Sequence, residues 1–238
     1  MGSFFDTAMQ SAVLKNLPEE DIKTIMQKSV IRNLERGASI CIQGEAAHSL
    51  FVVLEGWVKT YRVTPSGNEA VIGVFTESGC FGEEAALRDQ PYFAGAEAVS
   101  DGLVLQIDGT YFAKAIESNL SVCKAALLGS MDQNRALVQH VEQLKSHTGA
   151  QRIADFLLSL CKSETGSCTV ILPYDKVLMA AWLGMKPESL SRAFRRLIPY
   201  GVHIQKNHAV IESIERLSDY ADEDPAESWN AQSRSETS

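Results

Sequence analysis

The spacing of apolar residues changes along the chain and divides it into parts with different periodicity. Between residues 11 and 27 the apolar positions recur at helical spacing, which predicts two short helical pieces separated at Pro18. Residues 30–107 contain short runs rich in valine, isoleucine, phenylalanine and tyrosine, such as SLFVVLEGWVKTYRV and EAVIGVF, with glycines between them. Many short strands at close spacing predict a small barrel or jelly roll.

After Asp108 the period changes to that of a helix. The segment from Tyr111 to His147 contains no proline and a single glycine, Gly129, which predicts one long helix from about Ser121 to about His147. One stripe along this helix alternates spacings of four and three, as in a coiled coil. Its members are Leu127, Met131, Asn134, Val138, Val141 and Lys145.

This stripe has two interpretations. A single amphipathic helix could pack on its own roll, or the stripe could pair with a second copy of the chain. Asn134 and Lys145 are poor core residues but suitable for setting the register of a helix pair, which favours a homodimer. The predicted dimer interface comprises Leu127, Met131, Asn134, Val138 and Val141.

The C-terminal third of the chain has its own pattern. The run GAQRIADFLLSLCKSETGSCTVILP predicts an amphipathic helix, a polar turn and a strand, so a second domain begins near Gly149. We therefore predict an α+β protein with an N-terminal jelly-roll-like β-roll, a long dimerisation helix and a C-terminal winged helix-turn-helix. The predicted parts are residues 1–120, 121–148 and 149–220, followed by a disordered acidic tail over 221–238.

The helix-turn-helix prediction comes from a pair of short helices. Asp175 can cap a helix over 176–183, Gly184 closes it, and Pro187 occupies the first position of the next helix. Ala180 is small enough to let the two helices cross closely. The second helix carries Leu190, Ala193, Phe194 and Leu197 on one side and Glu188, Ser191, Arg192 and Arg195 on the other.

The residue types on the polar side suit the major groove of DNA. Arg192 can donate to guanine, Glu188 can accept from cytosine, and Ser191 can touch a base edge or a thymine methyl group. A solvated basic face on an ordinary helix pair is the alternative. The remaining residues of the predicted interface are Ser189 and the candidate phosphate contacts Lys176, Lys186, Arg195 and Arg196.

The distribution of charge along the chain favours DNA binding by residues 149–220. The whole chain has a formal net charge of -8, but residues 149–220 carry 9 basic and 7 acidic side chains. Residues 1–148 carry 12 basic and 18 acidic side chains, so the acidity lies largely elsewhere. The run GVHIQKNHAVIES also predicts a hairpin that turns near Lys206 and Asn207 and forms a wing beside the helices.

Composition excludes other classes of protein. No apolar run is long enough to span a membrane and no secretion signal is evident, so we expect a cytoplasmic protein. Five scattered cysteines predict small buried side chains rather than a disulfide framework. Five dispersed histidines supply no metal cluster of the cupin type, and no nucleophile and base stand out, so we expect no enzyme.

The order of parts resembles the family of the cyclic-AMP receptor protein and the FNR regulators. The resemblance covers residues 11–217 and is carried by QGEAAHSLFVVLEGWVKTYRVTPSGNE, GCFGEEAAL, QRIADFLLSL and LGMKPESLSRAFRRL. Membership implies a homodimer on double-stranded DNA with an inverted-repeat operator, and a contact with RNA polymerase. The E-x-x-S-R pattern of Glu188, Ser191 and Arg192 resembles the FNR branch, which implies a TTGAT half-site, whereas the cyclic-AMP branch has arginine where Pro187 stands.

The effector pocket is expected to differ from that of the cyclic-AMP branch. FGEEAA, residues 81–86, resembles the family's phosphate-binding cassette, but Tyr92 or Phe93 occupies the place of the arginine that neutralises the phosphate. A buried phosphodiester without a cation would be strongly penalised, so we expect no cyclic AMP. The predicted pocket residues are Phe81, Gly82, Glu83, Glu84, Tyr92, Phe93, Leu137 and Val138, the last two aligning with nucleotide-contacting residues of the family.

The resemblance also bears on cofactors. FNR proteins hold an iron-sulfur cluster through N-terminal cysteines, and no cysteine precedes Cys41, so we expect no such cluster. Thiol chemistry at Cys161 and Cys168 remains an alternative. GEAAHSLF and KPESLSRAFRRL resemble the DNR and NnrR regulators, which respond to nitric oxide and are thought to use haem. That resemblance implies haem, with His48, His140 and His147 as candidate iron ligands.

Overall fold

The protein folds into two compact units in a computed structural model that describes residues 2–173 and 176–223. One unit extends to Leu137 and the other begins at Val138. The predicted α+β class, with a roll, a long helix and a C-terminal helix-turn-helix, is confirmed. Asp175, predicted to cap a helix, and most of the predicted acidic tail lie outside the described residues.

The N-terminal segment differs from the prediction. Its helices are α1 (Gly2–Met9) and α2 (Glu19–Gln27), whereas residues 10–17 form successive turns, so the expectation of a helical piece just before Pro18 is wrong. The hydroxyl of buried Ser11 donates to the carbonyl of Ala8 at 2.7 Å, and this local bond offers the backbone an alternative to helical pairing. Pro18 then precedes α2 directly.

The roll consists of two four-stranded antiparallel sheets, with strand orders β1-β8-β3-β6 and β2-β7-β4-β5. The runs that predicted strands in the sequence form β3, β4, β5, β7 and β8. The strands are β1 (Val30–Leu34), β2 (Ser39–Cys41), β3 (Ser49–Glu55), β4 (Val58–Val63), β5 (Glu69–Phe75), β6 (Cys80–Phe81), β7 (Gly95–Ala98) and β8 (Gly102–Asp108).

Strand β3 shows why its sequence is almost continuously apolar. Successive side chains of a strand point to opposite faces of the sheet. Leu50 and Val52 belong to a core shared with the helices, whereas Phe51 and Val53 belong to the core inside the roll. Both faces of this strand are therefore buried, which removes the polar alternation of a half-exposed strand.

Three helices complete this part of the chain: α3 (Glu83–Arg88), α4 (Gly109–Ser118) and α5 (Leu120–Ser146). The long helix α5 agrees within a residue or two with the predicted bounds. It buries Val122, Ala125 and Gly129. A side chain at position 129 would collide with the carbonyl oxygen of Ala12, so glycine lets the N-terminal segment cross α5 in direct contact.

The second unit holds a helical core and a small antiparallel sheet, in the order β10-β11-β9. β10 and β11 form the predicted hairpin, and Lys206 in its turn adopts a φ of 56°. The elements are α6 (Gly149–Ser159), β9 (Cys168–Ile171), α7 (Lys176–Trp182), α8 (Pro187–Leu197), a 3₁₀ turn (Ile198–Tyr200), β10 (Val202–Gln205), β11 (His208–Ile211) and α9 (Ile214–Asp222).

Helix α6 begins at Gly149, where the second domain was predicted to start, but the compact unit begins earlier. The last turns of α5 belong to the second unit, where His140 stacks on Trp182 of α7 with ring centroids 4.3 Å apart. Thr148 and Gln151 form a reciprocal capping box at the start of α6. None of the helices in the described part of the chain is both long and apolar enough to cross a membrane.

Candidate nucleic-acid interface and effector pocket

Helix α8 separates its apolar and polar residues cleanly. Leu190 and Leu197 are fully buried and Ala193 is nearly so, and these side chains anchor the helix in the core of the second unit. Pro187 stands at the first helical position, where its missing amide proton costs no hydrogen bond. The exposed polar residues are Glu188, Ser191, Arg192, Arg195 and Arg196, and Ser189 is partly buried.

The side chain of Arg192 has a partner on its own helix. One guanidinium nitrogen, Nη2, donates to the hydroxyl oxygen of Ser189 at 3.4 Å, one turn earlier. The bond is long and lies at the surface, so it can orient the guanidinium without committing its other donors. Arg192 therefore retains donors for an external acceptor.

A tight turn sets α8 against α7. Gly184 adopts a φ of 62°, in the left-handed region that favours glycine, and the amide of Met185 donates to the carbonyl of Ala180 at 2.9 Å. Ala180 is fully buried, as expected for a small residue at a helix crossing. The predicted phosphate contacts Lys176 and Lys186 are both exposed near the ends of these helices.

In the roll, an aromatic side chain packs near the cassette that resembles a phosphate site. Gly82 adopts a φ of 83°, and a β-carbon on it would lie 3.4 Å from the ring of Tyr92. The Tyr92 hydroxyl donates to the carbonyl of Ser49 at 2.7 Å and accepts from its amide at 3.3 Å. Because burial raises the pKa of Tyr92, this hydroxyl stays neutral.

Aromatic rings fill the space around Tyr92. Phe51 lies with its ring centroid 5.3 Å from that of Phe81 and 6.3 Å from that of Tyr92. Phe75 approaches Phe81 from another side, at 5.5 Å. The sequence analysis placed Phe81 and Tyr92 here but missed Phe51, which strand pairing brings opposite Phe81, and Phe75, which reaches Phe81 from the other sheet.

Glu83 of the cassette faces the long helix. The amide nitrogen Nε2 of Gln133 donates to Glu83 Oε1 at 2.6 Å and lies 3.1 Å from the sulfur of Cys80. The second carboxylate oxygen of Glu83 is buried without a hydrogen-bond partner. Gln133 was not predicted, because nothing in the sequence pairs a polar residue of the helix with the cassette. Glu84, by contrast, points outward and pairs with Arg88 at 3.5 Å.

Three further residues predicted for the pocket lie at the surface, as Glu84 does. Phe93 is 58% exposed and stacks under the guanidinium of Arg62, 4.2 Å from the ring centroid. Neighbouring residues of an extended segment point in opposite directions, so only one of Tyr92 and Phe93 can face inward. Leu137 and Val138 are also exposed, on the stretch of α5 beyond its buried turns.

The three histidines considered as iron ligands have different surroundings. His48 is exposed in the roll. His140 stacks on Trp182, and burial lowers the pKa of its imidazole. His147 Nδ1 lies 2.7 Å from the carboxylate of Asp155. Within residues 2–173 and 176–223, no three histidine, cysteine or acidic side chains form a group suited to a metal ion.

The stripe predicted as a dimer interface is exposed along α5. Leu127 and Met131 are each 56% exposed, Val138 and Val141 are exposed as well, and so is Asn134. The buried residues of this helix lie on another side of it. Packing against its own roll therefore does not cover the apolar stripe.

Two family matches cover most of the chain. Residues 31–119 match the cyclic nucleotide-binding domain, and residues 151–220 match the Crp-like helix-turn-helix domain. A candidate cyclic nucleotide binding protein from Ruegeria pomeroyi has a similar structure, with 45% sequence identity and a TM-score of 0.79. The similarity covers 94% of this chain and 99% of that one. The chain belongs to the CRP/FNR family of transcription regulators.

Other CRP/FNR relatives are more distant. The nitrogen fixation regulation protein FixK of Rhizobium meliloti is 27% identical over 71% of this chain and 75% of its own. The structure of DNR from Pseudomonas aeruginosa is also 27% identical, with a TM-score of 0.52, over 90% of this chain and 95% of that one. Equal identity to both does not assign the chain to one branch. These CRP/FNR homologues are regulators with a DNA-binding helix-turn-helix domain.

Proposed function

We propose that the protein acts as a homodimer that binds an inverted repeat with TTGAT half-sites and regulates transcription through contact with RNA polymerase. The observation that carries the proposal is the exposed face of α8, where Glu188, Ser191 and Arg192 project opposite buried Leu190. These are the residue types and spacings that read base edges in the major groove.

Dimer formation is supported by the apolar stripe on α5. Contiguous apolar side chains in water favour association, and alternating spacings of three and four suit a pair of helices. Asn134 within the stripe fits the role of a polar residue that fixes the register. A twofold dimer would present two copies of α8, which matches the symmetry of an inverted repeat.

The operator experiment compares a duplex carrying the TTGAT inverted repeat with a scrambled duplex of the same composition, using the full-length protein. We expect tighter binding to the repeat by at least tenfold, with one dimer per duplex in sedimentation. Equal affinity for both duplexes, measured with and without nitric oxide and under oxidising and reducing conditions, would overturn the proposal.

We further propose that the effector is not a cyclic nucleotide. The ring of Tyr92 packs near Gly82 of the cassette, and its hydroxyl is bonded to the backbone of Ser49. The family's arginine is absent at positions 92 and 93, and the guanidinium of Arg62 near Phe93 is stacked on that ring at the surface. A phosphodiester would displace a satisfied tyrosine and gain no neutralising charge in return. Isothermal titration with cyclic AMP should show no heat of binding, and micromolar affinity would contradict this assignment.

The proposed effector is nitric oxide sensed through haem, as the resemblance to DNR and NnrR implies. Among the three candidate ligands, His147 has the most suitable surroundings, because a carboxylate on Nδ1 fixes the tautomer that leaves Nε2 for iron. Bound haem would supply the ferrous iron that binds nitric oxide. The test is an absorption spectrum of protein purified with haem available, before and after nitric oxide. A Soret band that moves supports the proposal, and a colourless protein contradicts it.

A further inference from the structure

Two cysteines meet at the ends of one loop in the second unit. Cys161 follows the last turn of α6, and Cys168 is the first residue of β9. The Cys168 thiol is a neighbour of Cys161 and helps to raise its pKa, and Cys161 Sγ lies 3.4 Å from the carbonyl oxygen of Leu157. Both side chains are partly buried against the same apolar core.

The backbone around these cysteines is fixed on both sides of the loop. Cys168 pairs with fully buried Ile211 in the sheet. Within the loop, the amide of Gly166 donates to a carboxylate oxygen of Glu215 at 3.0 Å, and the amide of Ile214 donates to the carbonyl of Gly166 at 2.8 Å. The backbone that carries the two cysteines is therefore fixed by regular structure and by hydrogen bonds within the loop.

The other cysteines have different surroundings. Burial raises the pKa of Cys41 to about 11 and that of Cys80 to about 12, and the Cys80 sulfur contacts an amide and a carboxylate. Cys123 is exposed on α5. Only Cys161 and Cys168 combine partial exposure with a second thiol as neighbour.

We propose that Cys161 and Cys168 are a site of reversible oxidation, at which a hydroperoxide converts the two thiols into a disulfide that staples α6 to the sheet of the DNA-binding domain. In the first step one sulfur attacks a peroxide oxygen, the O–O bond breaks, and a sulfenic acid and water form for hydrogen peroxide. The second sulfur then attacks the sulfenic sulfur, the S–O bond breaks, and a second water leaves. The two thiols lose two electrons and two protons in total.

The protonation of the pair determines its kinetics. Burial and the neighbouring Cys168 raise the pKa of Cys161 to about 12. Because the thiolate is the nucleophile, oxidation is slow at neutral pH and accelerates as the pH rises. Ionisation does not stabilise the reduced form of Cys161 at neutral pH, so reversal of the oxidation requires a strongly reducing dithiol such as dithiothreitol.

Peptide mapping of the full-length protein tests the bond directly. Trypsin separates the two cysteines, because Lys162 lies between them, into the peptides 153–162 and 163–176. After treatment with hydrogen peroxide and blocking of free thiols, we expect these peptides to be joined, with the loss of two hydrogens. Cys161→Ser and Cys168→Ser should each abolish the joined pair, whereas the control Cys123→Ser should leave it intact.

The consequence for stability is measured by thermal unfolding of the same samples. Closing this short loop should raise the unfolding temperature of the second unit by roughly 5 °C in the oxidised protein. The shift should disappear after dithiothreitol and in either serine variant. Absence of the joined peptides under oxidation that converts Cys123 to a sulfenic acid would overturn the proposal, and so would joined peptides without any thermal shift. Neither measurement depends on the DNA sequence proposed above.

Discussion

Helix α8 and the cassette of the roll differ in where their polar groups lie. On α8, Glu188 and Arg192 project into solvent from a helix that buried Leu190 holds in place. In the cassette, the polar atoms of Tyr92 and one oxygen of Glu83 are bonded inside the protein. The polar side chains of a surface that binds a large partner are exposed in the free protein. In a small-ligand site, the protein's own side chains can bond to each other and to the backbone. Mutations should therefore separate binding from stability on α8 but not in the cassette.

The largest expected effect comes from removing the anchor of α8. Leu190→Asp places a charge in the core, and we expect a loss of about 3–5 kcal/mol in the stability of the second unit. Chemical denaturation of the full-length protein measures it. Ser191→Asp adds the same charge at the adjacent exposed position and should change stability by less than about 0.5 kcal/mol. Similar losses in the two variants would contradict the burial pattern of α8.

Arg192→Ala should weaken operator binding by about 1–3 kcal/mol and relax the choice at one base pair of the half-site. The reason is the loss of a guanidinium that can donate two parallel hydrogen bonds to guanine. Fluorescence anisotropy with the TTGAT repeat and single-base variants measures both effects. Unfolding should be unchanged. Equal losses on specific and random DNA would refute the base-reading role.

Tyr92→Phe should lower the free energy of unfolding by about 1–2 kcal/mol, because the backbone groups of buried Ser49 lose their partner. Operator affinity without effector should remain the same. Tyr111→Phe, which removes a hydroxyl from the same unit, is the control and should have a smaller effect. A neutral Tyr92→Phe variant would mean that the hydroxyl does not help to close the cassette.

Lys186→Ala is expected to have the smallest effect, about 0.5–1 kcal/mol on DNA binding, distributed evenly over all sequences. Lys186 is an exposed point charge at the N-terminal cap of α8, suited to a phosphate. The dependence of log affinity on log salt should flatten by about one unit of slope. A loss confined to the TTGAT repeat would instead assign Lys186 to base recognition.

The sequence predicted those helices and strands whose apolar and polar residues follow a regular pattern. The strands from Ser49 to Phe75 were predicted from short apolar runs separated by glycine, and the two faces of α8 from helical periodicity. Turns replaced the helix predicted over residues 11–17, because a buried serine bonded to the backbone there. Phe93 was predicted to line the pocket because its distance along the chain from the cassette does not distinguish it from its neighbour Tyr92. Contacts such as Gln133 with Glu83 depend on tertiary packing and leave no periodic signal.

The close crossing at Gly129 affects how the protein would tolerate shortening. The N-terminal segment covers the side of α5 formed by Val122, Ala125 and Gly129, while the apolar stripe faces elsewhere. A chain without this segment would carry adhesive surfaces on two sides of a single helix. We expect such a chain to associate through both surfaces and to form assemblies larger than a pair of subunits.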